Sequence, residues 1–315
     1  MDHFSRILLY TGTDNLDVAL SRSVQLAIEN GATLTLMDVV RPVPRGGGMI
    51  SDLASADELE REVVAETRER LLQLASEYSD TGVTFDVVVA IGKPAVEIIR
   101  QVIRGQHDLV VKTASGRRPL VRLFGSVMTA LLRDCPCPVW ALKPDVHGAF
   151  DCVLAAVDPE AEDEEHRALN LQILELALAI CRREDAVLHL VGVWDLWMEP
   201  SLRRRAGDAE IDALLVQREQ ELRAAFEALL EPLRTATDRV ELHIRRGVPA
   251  ETIRTVADEI EADLMVLGTV CRSGVAGFLI GNTAEQVLAE ATCSVLAVKP
   301  EGYVSPVTLE AGRKP

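Results

Sequence analysis

The sequence predicts an α/β protein of two similar domains, each with a five-stranded parallel sheet that is covered by helices on both faces. Three observations lead to this prediction. The chain has 315 residues, which suits about two ordinary domains. Short apolar runs alternate with amphipathic segments, a pattern typical of parallel sheets. The second half of the chain also repeats the first.

The repeat is carried by short blocks at a nearly constant spacing of 155 or 156 residues. Each block has the same order of apolar, glycine and proline positions in both halves, and a repeat of this kind indicates a duplicated structural unit. The matched pairs are Gly92 and Gly247, Pro94 and Pro249, Asp108 and Asp263, and Cys137 and Cys293.

Within each half, period-two and continuous apolar runs predict strands, and longer amphipathic stretches predict helices. In the first half we expect strands at 5–10, 33–40, 83–90, 108–112 and 138–143, and helices at 15–30, 56–78, 95–104 and 124–133. In the second half we expect strands at 152–157, 186–193, 240–246, 263–268 and 294–299, and helices at 163–183, 208–231, 249–260 and 282–291. A short joint at 144–150 separates domains that we place at 1–146 and 147–315, the second including a surface tail.

Composition excludes several classes of function. The formal net charge is −16, and most of it lies after residue 147, where 17 Lys or Arg face 30 Asp or Glu. Such acidity disfavours direct binding to nucleic acid. No apolar run approaches the ~20 residues that span a bilayer, and the N-terminus lacks the pattern of a signal peptide. We therefore expect a cytoplasmic protein without a membrane partner.

The sequence offers no catalytic set and no metal site. Its six cysteines form no CxxC pair, so we expect reduced, mostly buried thiols. Hydrolase, metalloprotease and P-loop motifs are missing. His189 and His243 lie within predicted strands, where packing roles are expected. Trp194 and Trp197 are expected to cap the core edge rather than wall a pocket, and Arg203 to Arg205 to form a solvated loop.

The candidate site lies at the carboxyl ends of the second half's strands, where open parallel sheets bind ligands. Asp158 follows the first strand of that half and is either a hydrogen-bond acceptor for a ligand or the start of an Asx turn. Gly268 ends the fourth strand. Gly281, Asn282 and Thr283 then open a helix, whose free amides favour an anion.

These residues resemble the universal stress protein family. Its ATP-binding members carry an Asp at the end of strand one and a G-x2-G-x9-G-[S/T] loop after strand four. Asp158, Gly268, Gly281 and Asn282 stand at those spacings, with Cys271 replacing the second glycine and Thr283 supplying the hydroxyl one place later. The resemblance covers about 1–144 and 151–300, and tandem members of the E type match best.

The resemblance implies two flavodoxin-like domains, of the adenine-nucleotide alpha-hydrolase-like type, with strand order 3-2-1-4-5. It also implies pairing of the two fifth strands as an internal pseudo-dimer, with a further homodimer as an option. Val193 is added to the site because family members place a valine against the adenine. The first half departs further, with Gly12 where Asp is expected and Thr113 where the first glycine is expected.

We therefore expect a non-catalytic stress-response protein that supports survival under stress, including DNA damage. It binds a small ligand in its second half, with ATP or another adenine nucleotide as candidates, and it signals through a shape change or a protein partner. A carrier of an apolar or nucleotide-linked metabolite and a slow ATPase are the alternatives.

Overall fold

The computed structural model describes residues 4–12, 15–43, 56–114, 125–144, 148–161, 163–233, 239–269 and 281–309. These residues divide into two compact units. Unit 1 contains the described residues up to 144 together with 303–309, and unit 2 contains those from 148 to 302. The domain limits at 1–146 and 147–315 and the pairing of the two fifth strands stay predictions.

Unit 1 alternates strands and helices along the chain, as its sequence predicts. Its strands run in parallel in the order β3-β2-β1-β4-β5. They are β1 (Arg6–Tyr10), β2 (Thr33–Val40), β3 (Thr84–Ile91), β4 (Leu109–Thr113) and β5 (Val139–Leu142). The described helices are α1 (Asp17–Asn30), α2 (Ala56–Ser76), α3 (Pro94–Gly105) and α4 (Ser126–Asp134).

Unit 2 has the same strand order. Its parallel strands follow one another as β10-β9-β6-β7-β8, which places the unit's first strand between its second and its fourth. They are β6 (Cys152–Ala156), β7 (Val187–Trp194), β8 (Val240–Arg246), β9 (Leu264–Gly268) and β10 (Ser294–Val298). The helices are α5 (Glu164–Glu184), α6 (Glu199–Ala206), α7 (Asp208–Leu230), α8 (Pro249–Glu259) and α9 (Asn282–Ala289). The predicted order 3-2-1-4-5 is confirmed within each unit.

The repeat is visible in backbone geometry as well as in sequence. Gly92 and Gly247 follow the third strand of their units with φ of 155° and 150°, a region that residues with a Cβ rarely adopt. Two residues later, Pro94 and Pro249 occupy the first position of α3 and α8, where the missing amide costs nothing. The turn between strand and helix is therefore specified by the same two residue types in both units.

The core of each unit lies against its central strands. Every residue of β4 is buried, and in β9 only the final Gly268 is partly exposed. Such continuous burial explains why these two strands appear in the sequence as apolar runs and not as alternating patterns, because helices cover both faces of a parallel sheet.

The segment after β7 differs from its prediction. The expected loop with Arg203 to Arg205 is helix α6, and Arg203 forms ion pairs with Glu199, Asp208 and Asp212. The side chain of Trp197 is 81% exposed, so it does not cap the core. The ion pairs of Arg203 therefore neutralise its charge within unit 2.

Residues 303–309 pack on the rest of unit 1. The Tyr303 hydroxyl donates to the Arg133 carbonyl at 2.9 Å, and Arg100 Nε donates to the Thr308 carbonyl at 3.1 Å. Among the described residues, no helix has the length and apolar character needed to cross a bilayer.

Candidate functional site

The predicted site residues of unit 2 lie along one edge of its sheet. β6 and β9 are neighbours, and Ala156 of β6 is paired with Leu267 of β9. Asp158 comes two residues after this pair along one chain segment, and Gly268 comes one residue after it along the other. β7 adjoins β6 on the other side, and Val193 is half-buried near its carboxyl end. The fold therefore gathers the carboxyl ends of three strands where parallel sheets bind ligands.

Helix α9 begins beside the same edge. The Gly281 amide donates to the Thr269 carbonyl at 3.3 Å, which ties the start of the helix to the residue after β9. Gly281 is the N-cap and makes no side-chain cap bond, while Asn282 and Thr283 are exposed. The first amides of a helix have no partner within the helix and carry partial positive charge, which favours an anion. Cys271 lies outside the described residues.

Asp158 begins a turn in the structure. Its Oδ1 accepts from the Glu160 amide at 3.3 Å, the bond of the Asx turn that the sequence offers as one alternative. The carboxylate is thereby held at the sheet edge with a defined orientation. Its role as a ligand group stays a prediction.

Asn170 holds this turn, and the sequence analysis missed it. This α5 side chain is buried, and its Oδ1 accepts from the Asp158 amide at 3.1 Å while its Nδ2 donates to the Asp158 carbonyl. Both bonds go to one residue, so the helix fixes where the chain leaves β6. The signal in the sequence is a lone amide within an otherwise apolar helix face, which a buried position accepts only when the amide is hydrogen-bonded.

A second contact holds the same turn from the other side. Arg218 of α7 binds Glu160 with two nitrogens on two carboxylate oxygens, Nη1 lying 2.7 Å from Oε1. Bidentate pairs of this kind restrict orientation as well as distance. The turn after β6 is therefore fixed by two helices before any ligand arrives.

Gly268 has a packing role that the sequence did not reveal. A Cβ built at this position would lie 2.7 Å from Leu169 Cδ2, closer than carbon atoms approach. The glycine therefore lets α5 lie close to the end of β9. Its place in the ATP-binding loop, which the family resemblance implies, stays a prediction.

The corresponding edge of unit 1 is filled by large side chains. Tyr10 and Lys112 are paired in register between β1 and β4, as Ala156 and Leu267 are in unit 2, and both are buried. A Cβ at Gly12 would lie 2.4 Å from the Tyr10 hydroxyl oxygen. The tyrosine ring thus occupies the space that a side chain at the Asp position would need.

The charged amine of Lys112 at this edge of unit 1 has its partners within the protein. Lys112 Nζ donates to the Thr113 carbonyl at 2.8 Å and lies 6.0 Å from the centre of the Tyr10 ring. Burial lowers the pKa of Lys112 to about 8. Burial and the nearby Asp38 raise the pKa of Tyr10 to about 12, and Asp38 is paired with Arg70. These groups form an internal polar cluster rather than an open site.

The chain was compared with protein families and with individual relatives. Residues 3–143 and 150–299 each match the model of the Universal stress protein family. Universal stress protein E of Salmonella typhi is 32% identical over 270 residues, which cover 83% of this chain and 84% of that protein. A Universal stress protein E homolog of Haemophilus influenzae is 27% identical over 307 residues, covering 94% of this chain and 98% of that protein.

Solved structures agree in fold over nearly the whole chain. A functionally unknown protein from Pseudomonas aeruginosa PAO1 has a TM-score of 0.71 and 26% identity, covering 95% of this chain and 94% of that one. A universal stress protein from Archaeoglobus fulgidus has a TM-score of 0.59 at 20% identity, covering 93% and 98%. The second likeness is one of fold alone.

Proposed function

The chain belongs to the universal stress protein family, and from this membership we propose that it is a non-catalytic stress-response protein of the cytoplasm. Its second domain binds a small anionic ligand, with an adenine nucleotide as the first candidate. Binding changes the shape of the protein or its choice of protein partner. The protein supports survival under stress, including DNA damage.

One observation carries the proposal: Asp158, the end of β9 and the start of α9 converge at a single sheet edge. Ala156 and Leu267 leave that edge without a buried polar group at the register positions where unit 1 has Tyr10 and Lys112. The exposed start of α9 offers amides to phosphate oxygens. The Asp158 carboxylate lies on the neighbouring strand end, where it can accept a hydrogen bond from a ribose or a base.

The held turn after β6 supports binding rather than turnover. Asn170 and Arg218 fix the turn in one geometry, and a ligand that meets a preorganised site loses less affinity to ordering. At this edge Asp158 lies two residues after β6, and Asp195 follows β7 directly. The preference for binding over turnover therefore rests on the held turn.

Equilibrium binding of ATP, ADP and AMP to the full chain tests the proposal. We expect one nucleotide per chain, and at least about tenfold weaker binding for Asp158→Ala, because loss of one hydrogen bond to a charged group costs about 1.5–3 kcal/mol. Ser126→Ala is the matched control, since Ser126 opens helix α4 in unit 1. It should leave the affinity unchanged.

Native mass spectrometry of protein purified from its own host identifies any ligand retained in the cell. A retained nucleotide supports the proposal, and a retained apolar metabolite would instead identify a carrier. Release of inorganic phosphate from ATP, abolished by Asp158→Ala, would identify a slow ATPase. A protein that is empty and binds none of the three nucleotides would refute the nucleotide proposal.

A further inference from the structure

Two histidines and a glutamate meet on one face of unit 2, away from the carboxyl edge. His189 lies in β7, and Glu241 and His243 lie in β8. The parallel register pairs His189 with Glu241. Residues two apart in a strand point to the same face, so His243 joins the other two on that face.

The ligand atoms of these side chains are close enough to share one ion. His189 Nδ1 lies 3.0 Å from His243 Nε2 and 3.6 Å from Glu241 Oε2, and one ligand atom from each residue lies within 4.8 Å of the others. Zinc bonds of about 2.0–2.1 Å in a tetrahedron separate neighbouring ligand atoms by about 3.3 Å. The observed separations lie on both sides of that value.

We propose that His189, Glu241 and His243 bind one divalent transition-metal ion, with Zn²⁺ as the preferred ion. Two imidazoles and one carboxylate form a ligand set that suits zinc, and solvent completes the fourth position. From the sequence no metal site is expected, because His189 and His243 lie within predicted strands, where packing roles are expected.

The solvent exposure of the three side chains suits an ion that enters from solvent. The side chain of His189 is 8% exposed and that of Glu241 is 64% exposed, so one ligand is fixed by packing while the carboxylate can turn toward an ion. Burial lowers the pKa of both histidines, which favours the neutral imidazole that ligates metals. Arg245 on the same face is paired with Glu259 at 3.2 Å, so its charge is already compensated.

A hydrogen bond between two neutral imidazoles is the competing explanation for the 3.0 Å contact. That bond would not require a carboxylate opposite His189. Unit 1 gives a further contrast, because the register positions of the three residues are occupied there by Thr35, Asp86 and Val88. The duplicated frame therefore does not create the cluster, which is specific to unit 2.

A bound ion would join two neighbouring strands. β8 is the last strand in the order of unit 2 and pairs with β7 within that unit. Coordination by His189 from one strand and by two residues from the other would cross-link this pair. Binding therefore stabilises the folded unit by mass action.

The test is titration of the chelator-treated full chain, free of affinity-tag histidines, with Zn²⁺ by calorimetry and with Co²⁺ by absorption. We expect one ion per chain and a cobalt spectrum typical of nitrogen and oxygen ligands. Cys135 and Cys137, whose sulfurs lie 3.6 Å apart in unit 1, are the alternative binding place. They would add a sulfur-to-cobalt charge-transfer band.

Variants locate the ion. Glu241→Gln and His243→Gln should each weaken Zn²⁺ binding by at least about tenfold, the effect that even outer contacts of a metal site have. Glu251→Gln makes the same charge change at an exposed position of α8, and His166→Gln removes a histidine elsewhere in unit 2; both should bind as the parent does. Because Glu241 is exposed, its variant should keep the parent circular dichroism spectrum.

Three results would overturn the proposal. They are no binding by the parent chain, unchanged affinity in both Glu241→Gln and His243→Gln, and a cobalt spectrum dominated by sulfur. Nucleotide binding by Asp158 is measured separately, so failure of one proposal leaves the other intact.

Discussion

At the carboxyl edge of unit 1 the Tyr10 ring and the Lys112 amine are buried, whereas the same register positions of unit 2 hold Ala156 and Leu267. The two edges have the same backbone arrangement, but large polar side chains occupy these positions in unit 1 and apolar side chains occupy them in unit 2. In unit 1 the protein supplies both the charge and the partner for that charge. In unit 2 it supplies a fixed turn and an exposed helix start. A duplicated fold thus keeps its architecture while the side chains at this edge differ between the two copies.

The second strands of the two units differ in the same way. Gly192 of β7 contacts Phe226 of α7 so closely that a Cβ would lie 2.3 Å from the ring. The matching position in β2 is Asp38, which pairs with Arg70 of α2. An apolar contact in unit 2 therefore replaces an ion pair in unit 1, and the two should differ strongly in energy.

The largest effect is expected from Phe226→Ala. This fully buried ring should cost about 3–5 kcal/mol in the free energy of unfolding of unit 2, because transfer and cavity terms add. Arg70→Ala should cost at most about 1 kcal/mol in unit 1, because its side chain is half exposed and exposed ion pairs contribute little. Urea unfolding followed by tryptophan fluorescence measures each loss in its own background. Trp140→Phe leaves tryptophans only in unit 2 for Phe226→Ala, and Trp194→Phe with Trp197→Phe leaves one only in unit 1 for Arg70→Ala. Equal losses would contradict the comparison.

Lys112→Met should stabilise unit 1 at pH 7 by about 1–3 kcal/mol. The folded pKa of about 8 lies below the ordinary value of about 10.4, so the unfolded chain binds more protons between them and stability rises with pH there. The full free-energy cost of burying the charged Lys112 amine therefore applies below about pH 8 and disappears as the pH rises toward about 10.5. The hydrogen bond to the Thr113 carbonyl offsets part of this cost. Methionine keeps the length of the side chain without its charge.

The measurement is the difference in unfolding free energy between Lys112→Met and the parent chain from pH 6.5 to 9.5. We expect the gain to narrow as pH rises. Lys93→Met, which changes an exposed lysine of the same unit, should show no such dependence. A gain in stability that stays constant with pH would mean that methionine is favoured at position 112 by its packing and not by the loss of the lysine charge.

A loss of about 1–2 kcal/mol in the free energy of unfolding is expected from Asn170→Ala, which removes two hydrogen bonds of a buried side chain. The more specific readout is hydrogen exchange of the Asp158 and Glu160 amides, which should speed up when the turn after β6 loses its anchor. Glu175→Ala on the exposed face of α5 is the control. Unchanged exchange in Asn170→Ala would show that Arg218 alone fixes the turn.

Much of the fold could be predicted because its signals are local. Apolar runs, Pro94 and Pro249 at helix starts and the glycines before them specify strands and turns within a few residues. The segment around α6 was missed because its arginines resemble a solvated loop. The pairing of Arg203 with Asp212 of α7 depends on two helices lying side by side.

Less of the site could be predicted. Asp158 and Gly281 could be located from their spacing, but Asn170 could not, because its partner lies 12 residues away across a helix and a strand end. The family resemblance places Gly268 in a nucleotide-binding loop, and the structure adds a second reason for the glycine, its close approach to Leu169. A single sequence does not distinguish a glycine that is needed for ligand binding from one that is needed for close packing.

The sequence by itself determined the duplication, the alternation of strands and helices and the strand order that its family resemblance implies. Local propensity and apolar period need no knowledge of distant partners. Tertiary structure alone decided that Tyr10 and Lys112 fill one edge, and that His189 meets His243 from 54 residues away. The physical reason is that these contacts depend on which strands are neighbours and in what register, and a shift of one residue would turn each side chain to the other face.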